Sequence, residues 1–138
     1  MSRNAVISVA SKQSGLEDEA IEIVTQGKFY KKDNSYYAVY DETELSGMAG
    51  TTTTIKVNKE KLTLIRLGTT NARIEFKNNY KSISMYDTPY GTLELGVETR
   101  KLDIKIDDEG GRVFVDYDMT LAGQKPLKTI LEVNIKAN

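Results

Sequence analysis

Hydrophobic and polar residues alternate along most of the chain with a period of two, which is the spacing of side chains on the two faces of a β-strand. Segment 112–121 shows the pattern most clearly. Its odd-numbered positions are all apolar or aromatic: Val113, Val115, Tyr117, Met119 and Leu121. The even positions opposite include Asp116, Asp118 and Thr120. One apolar face and one polar face predict an antiparallel sheet with solvent on one side.

Turn residues interrupt this alternation at intervals of roughly 8–12 positions, a spacing typical of sandwiches and barrels. No segment has the period of a helix of normal length. The pattern predicts strands at 4–12, 20–32, 36–41, 51–57, 61–67, 72–77, 82–88, 92–106, 112–121 and 127–136. Segment 13–19 is predicted to be a connection between the first two strands.

The connections between these strands are short, so each strand is expected to pair with its neighbour along the chain. A Greek-key sandwich needs a longer crossing loop, and the one candidate, 42–50, is short for that task. We therefore predict an all-β fold, an antiparallel up-and-down meander closed into a lipocalin-like barrel of about eight to ten strands. Closure removes the exposed edges of an open meander. Residues 1–138 are expected to form this single domain.

The long strand 92–106 contains a change of parity. Apolar residues occupy odd positions from Leu93 to Val97 and even positions from Leu102 to Ile106. Because side chains alternate strictly along a strand, one extra residue must be accommodated near 99–101. This predicts a β-bulge that bends the strand around the barrel.

The composition excludes several classes of function. The chain has no histidine and no cysteine, which excludes Ser-His-Asp and Cys-His nucleophiles, ordinary zinc catalysis and disulfides. The net charge of −1 comes with no basic block, so no nucleic-acid partner is expected. No apolar run has the length of a signal peptide or membrane span. We expect a cytoplasmic protein with no membrane partner and no cofactor; a homo-oligomer stays possible.

Two acidic motifs have competing interpretations. Asp116 and Asp118 have a spacing near the lower limit for an inverting glycosidase pair, but they also form the polar face of an ordinary strand. The sequence 107–109 before two glycines could be a calcium loop, yet it lacks the alternating ligand spacing. We expect the solvent-facing strand and a hairpin turn, and hence no catalytic and no metal-binding residues.

The polar residues predicted to face inward are the better candidates. Eight tyrosines against three phenylalanines suggest a partly polar interior, since a buried tyrosine needs a hydrogen-bond partner. Arg66 shares a face with Leu62 and Leu64, although Ile65 and Leu67 leave the orientation of that strand ambiguous. An inward arginine needs an anion, either a protein carboxylate or a ligand head group, and we favour the protein carboxylate. The predicted ligand-binding residues are Arg66, Met85, Tyr90, Thr99 and Tyr117. The corner 89–91 and the loop 42–50 are candidate gates.

Several sequence stretches resemble the YwiB-like family of uncharacterised bacterial proteins. They are residues 40–48, 53–56, 65–68, 86–91 and 116–118. The resemblance implies a lipocalin-like (calycin) barrel and carries no established activity, so it supplies no catalytic residues. The chain departs from secreted lipocalins, whose first strand carries a Gly-X-Trp motif, because it contains no tryptophan.

Two functions follow from an eight-stranded or larger barrel, which can either be filled by its own side chains or hold one small ligand. We expect a non-catalytic binding barrel for a small, partly apolar ligand. The alternative is a filled barrel that acts through its outer surface as a protein-interaction or structural module. The volume of the interior discriminates between them.

Overall fold

The computed structural model describes residues 2–13 and 20–138, and these residues form one antiparallel sheet of ten strands. The strands are β1 (Arg3–Gln13), β2 (Ala20–Lys32), β3 (Ser35–Asp41), β4 (Thr51–Val57), β5 (Lys61–Gly68), β6 (Ala72–Lys77), β7 (Tyr80–Thr88), β8 (Gly91–Asp107), β9 (Gly110–Leu121) and β10 (Leu127–Ala137). All ten predicted strands are present, with ends within two residues of the prediction. Of the predicted connection 13–19, Gln13 belongs to β1 and the rest lies outside the described residues.

The strands follow the chain as a meander, as predicted. Each strand pairs with its sequence neighbour except β6 and β7, and β1 also pairs with β10 over the register from Ala5↔Ala137 to Gln13↔Thr129. The sheet is therefore nearly closed, and its one discontinuity in the described residues is a seam between β6 and β7. The prediction of an up-and-down barrel is confirmed.

Asparagine side chains and one short bridge hold the two ends of this seam. At one end, the backbone N–H groups of Asn71 and Asp87 donate to each other's carbonyl oxygens at 2.8 and 2.9 Å. At the other end, Asn78 Oδ1 accepts from the Leu102 N–H at 2.7 Å, and its Nδ2 donates to the Leu102 carbonyl at 3.2 Å. These bonds satisfy backbone groups that a missing ladder would otherwise leave unpaired.

The predicted bulge is present in β8. The register with β9 shifts between Thr99 and Lys101, so Arg100 is the extra residue. Its guanidinium binds Asp116 Oδ1 at 2.7 Å and Asp118 Oδ2 at 2.6 Å, and the hydrogen bonds that it donates to Asp118 and Asp116 raise the pKa of Arg100. The two aspartates thus lie on the outer face and neutralise one arginine, in agreement with the solvent-facing interpretation.

The end of the barrel that carries the β2–β3, β4–β5 and β8–β9 turns is filled by apolar side chains. Those exposed by 2% or less include Ile7, Phe29, Ile55, Val57, Leu62 and Val113. The acidic segment 107–109 is a hairpin turn there, in which Asp108 accepts a hydrogen bond from the Tyr36 hydroxyl at 2.8 Å. Within the described residues no cluster of side chains could hold a metal ion. Among the residues that the structure describes, no helix is long and apolar enough to cross a membrane.

Candidate ligand-binding cavity

A cavity of about 310 Å³ occupies the opposite half of the barrel. Its walls are mainly apolar and come from strands all around the barrel, for example Val9, Ile23, Leu64, Phe76, Leu95 and Leu131. Leu45, Ser46 and Met48 of the β3–β4 loop line its mouth. The end of the barrel away from this cavity also has a depression, which is wider and more open at about 750 Å³ and is bordered by residues such as Lys31, Asn58 and Glu60. The cavity described here differs from it in being more enclosed and more apolar.

One row of polar side chains crosses the wall of this cavity. In the register of β3, β4 and β5, Tyr40 pairs with Thr53, and Thr53 pairs with Arg66. Residues that are paired across adjacent strands point to the same face, so all three side chains face the interior. Glu42 joins them because its backbone N–H donates to the Thr51 carbonyl at 2.8 Å, which extends β3 beyond its last residue.

Glu42 is the centre of this row and is almost completely buried, with its side chain 2% exposed. Its Oε2 accepts a hydrogen bond from Thr53 Oγ1 at 2.5 Å and lies 3.8 Å from Arg66 Nε. Tyr40 lies close enough for the negative charge of Glu42 to add to the effect of burial and raise the pKa of its hydroxyl. Glu42 is therefore the protein carboxylate that an inward-facing arginine requires, and the pair carries no net charge.

Arg66 has one buried donor, its Nε–H, that no acceptor among the described residues satisfies. At 3.8 Å, its Nε is too far from Glu42 for a hydrogen bond, and this buried atom has no acceptor among the described residues. A buried N–H without an acceptor costs free energy that a suitable ligand atom can recover. Since Arg66 lines the cavity, a ligand bound there could supply such an acceptor.

Burial also changes the acidity of two of the three tyrosines that line the cavity. It raises the pKa of Tyr40, and the negative charge of Glu42 adds to the effect. Burial raises the pKa of Tyr117 from 10.0 to about 12, although the positive charge of Arg66 and a hydrogen bond with Thr129 act against it. Both hydroxyls are consequently neutral at physiological pH, which leaves Glu42 and Arg66 as the charged groups on the cavity wall described here.

The raised pKa of Tyr117 predicts that the protein loses stability between pH 10 and pH 12. In that range the unfolded chain releases the Tyr117 proton and the folded chain retains it. The free energy of unfolding therefore falls as pH rises, by on the order of 2 kcal/mol for this residue, and its contribution is fully present below pH 10. Urea unfolding at several pH values should show that, between pH 10 and pH 12, the free energy of unfolding falls less in Tyr117→Phe than in the original protein. The fully exposed Tyr90 provides the control, and equal slopes for Tyr117→Phe and Tyr90→Phe would contradict the prediction.

The structure brings together some of the predicted site residues and separates others. Arg66 and Tyr117 line the same cavity. Thr99 is paired with Tyr117 and is 1% exposed, but it lies behind the cavity wall. Met85 and Tyr90 are 57% and 100% exposed on the outer surface and do not reach the cavity. A role in ligand binding stays a prediction for all five.

The sequence analysis missed Glu42 and Tyr40 as partners of Arg66. A signal was present, since Ala38, Tyr40 and Glu42 occupy successive even positions and thus one face of β3 and its extension. What the sequence could not supply is the register that places Thr53 between β3 and Arg66. The loop 42–50 does lie at the cavity mouth through Leu45, Ser46 and Met48, where a gate would be required, and its gating action stays a prediction.

Comparison with known proteins agrees with the resemblance found in the sequence. Residues 7–133 match the model of a domain of unknown function, DUF1934. The uncharacterized beta-barrel protein YwiB of Bacillus subtilis (strain 168) is 30% identical over 108 residues, which is 78% of this chain and 74% of that protein. The crystal structure of the ywiB protein from Bacillus subtilis superposes with a TM-score of 0.88 at 25% identity, covering 99% of this chain and 93% of the other.

Proposed function

The chain belongs to the DUF1934 family, and we propose that it is a non-catalytic binding protein that holds one small, partly apolar molecule in its barrel cavity. The observation that carries the proposal is the cavity of about 310 Å³ whose mainly apolar wall carries an Arg66 donor without an acceptor among the described residues. Small-molecule sites typically have volumes of about 300–1,000 Å³, apolar walls and a few polar groups that orient the ligand. The proposed place of action is the cytoplasm.

The cavity also favours ligand binding over the two other functions considered from the sequence. A barrel that acts only through its outer surface does not require an internal cavity lined by Arg66 and Glu42. Catalysis by paired carboxylates needs two acidic groups at one site, and Glu42 is the one acidic residue that lines the cavity in the described part of the chain. Up-and-down barrels, lipocalins among them, are suited to holding a single ligand.

The test blocks the cavity with a single large side chain. Ile23 lines the cavity, whereas its neighbour Val24 is 62% exposed on the other face of β2. Ile23→Trp should fill part of the cavity and lower the affinity for the neutral apolar dye N-phenylnaphthylamine at least tenfold. Val24→Trp is the matched control and should bind the dye like the original protein. Dye fluorescence gives the affinities, and thermal unfolding verifies that both variants are folded.

Native mass spectrometry of the protein purified from its own cells provides a second readout. We expect an additional mass that is released on denaturation and is absent from Ile23→Trp. If the original protein carries no ligand and does not bind the dye, the proposal is wrong. The same holds if Ile23→Trp and Val24→Trp bind the dye equally well.

A further inference from the structure

We infer that the ligand presents a neutral hydrogen-bond acceptor, such as an amide or ester carbonyl, to Arg66, and not a carboxylate or phosphate. This inference rests on the proposed function and names the ligand class of the same cavity. Three observations support it: the charge balance of the cavity wall, the unsatisfied donor of Arg66, and the apolar remainder of the site.

The charge balance argues against an anionic head group. Arg66 is the one cation that lines the cavity among the described residues, and the Glu42 carboxylate already neutralises it. A ligand carboxylate next to Arg66 would add an uncompensated negative charge close to Glu42, whose side chain is 2% exposed. A nearby like charge and removal from water both disfavour the ionised form of the ligand carboxylate. Tyr40 and Tyr117 supply no positive charge to offset it.

The unsatisfied donor still requires an acceptor. Glu42 receives a hydrogen bond from Thr53, and Arg66 Nε is left without an acceptor among the described residues. A neutral carbonyl oxygen satisfies this N–H without changing the net charge of the site. An amide has the further advantage that its N–H can donate to a remaining lone pair of the Glu42 carboxylate.

The rest of the ligand is predicted to be apolar. Beyond the polar row, the cavity wall is mainly apolar, with side chains such as Leu64, Phe76, Leu95 and Leu131, and its other polar residues are Ser11, Gln13, Ser46, Tyr86 and Tyr117. The apolar side chains offer no hydrogen-bonding groups, so polar ligand atoms facing them would lose their bonds to water without replacement. An alkyl chain or an aliphatic ring with one neutral polar end fits this distribution.

The test compares two ligands that differ only in the head group. Decanamide and decanoate have the same alkyl chain, and decanoate is ionised at neutral pH. In displacement of N-phenylnaphthylamine, decanamide should have a dissociation constant at least tenfold lower than decanoate. This comparison uses the original protein and does not depend on the folding of any variant.

Glu42→Gln should reverse the preference. Glutamine retains the size of the side chain and can still accept the Thr53 hydrogen bond, but it leaves the charge of Arg66 without a partner. We expect decanoate to gain at least tenfold relative to decanamide in this variant. Glu75→Gln is the control, because Glu75 lies on the outer face of β6 and pairs with Lys61 and Arg73. It should leave the preference unchanged.

The outcomes separate this inference from the proposed function. If the original protein binds the dye and decanoate displaces it as well as decanamide does, the inference is wrong and the cavity is still a binding site. If the dye binds and neither compound displaces it, the inference is again wrong. If the dye does not bind and no ligand is carried from the cell, the proposed function is wrong and the inference loses its basis.

Discussion

Replacing Gly110 with alanine should lower the free energy of unfolding by about 4 kcal/mol or more, the range of severe steric substitutions. Gly110 begins β9 and has a φ of +113°, which side chains rarely adopt. An added Cβ would lie only 2.1 Å from the carbonyl oxygen of Ile135 in β10. That oxygen belongs to the backbone and cannot move away by a side-chain rotation.

The position of Gly110 in the sheet makes relief of this clash costly. It pairs with Asp107 in β8 and with Lys136 in β10, so a shift in either direction disturbs a ladder. Strands β8, β9 and β10 are joined to β1 and the strands beyond it through the β1–β10 pairing. We therefore expect the variant to be largely unfolded or to lose the β1–β10 closure.

Gly91→Ala is the matched control for this experiment. Its φ is +128°, close to that of Gly110, but no atom lies within 4 Å of the position that an added Cβ would take. It therefore experiences the backbone strain without the clash, at a cost of about 1–2 kcal/mol. Urea unfolding followed by far-ultraviolet circular dichroism measures both variants. Similar losses for the two would contradict the steric explanation.

Removing the Glu42 side chain should have the second largest effect, a loss of about 3 kcal/mol from Glu42→Ala. The substitution leaves the Arg66 charge without its partner and the buried Thr53 hydroxyl without its acceptor. We place the loss at the lower end of the range for buried pairs, because the Arg66 side chain is 17% exposed. Glu75→Ala removes a more exposed acidic side chain from surface ion pairs and should cost less than about 1 kcal/mol.

The double variant Glu42→Leu with Arg66→Met distinguishes a structural pair from a functional one. Replacing both partners of a buried ion pair with apolar residues is often neutral or stabilising. We expect urea unfolding to show the double variant within about 1 kcal/mol of the original protein. It should nevertheless lose the preference for decanamide. A double variant as unstable as Glu42→Ala would instead indicate that the pair holds β3 and β5 together.

The sequence alone determined the fold class, the strands and the bulge. Alternation along a strand is a local property, so the ten segments and the parity change between Val97 and Leu102 are visible without any tertiary contact. The same alternation correctly turned Arg66 and Tyr117 inward. The order of short connections was sufficient to predict the meander, because neighbouring strands of an antiparallel sheet need little chain between them.

Tertiary pairing determined which side chains of β7 face the barrel interior. It also determined that the seam lies between β6 and β7. On β7 the apolar Ile83 and Met85 point to solvent, while Ser82 and Ser84 face inward opposite Val97 and Leu95. Hydrophobicity alone favours the reverse orientation, in which the predicted site residue Met85 would face the interior. The pairing with β8 overrides it, because a strand cannot turn over without losing its whole register.

The polar row of the cavity also depended on tertiary structure. Tyr40, Thr53 and Arg66 belong to three strands, and only the register of those strands aligns them beside Glu42. Side-chain alternation states which face a residue occupies, but it cannot state which residue lies next to it on another strand. The cavity itself results from how completely inward side chains fill the barrel, a property of the closed sheet and of no single segment.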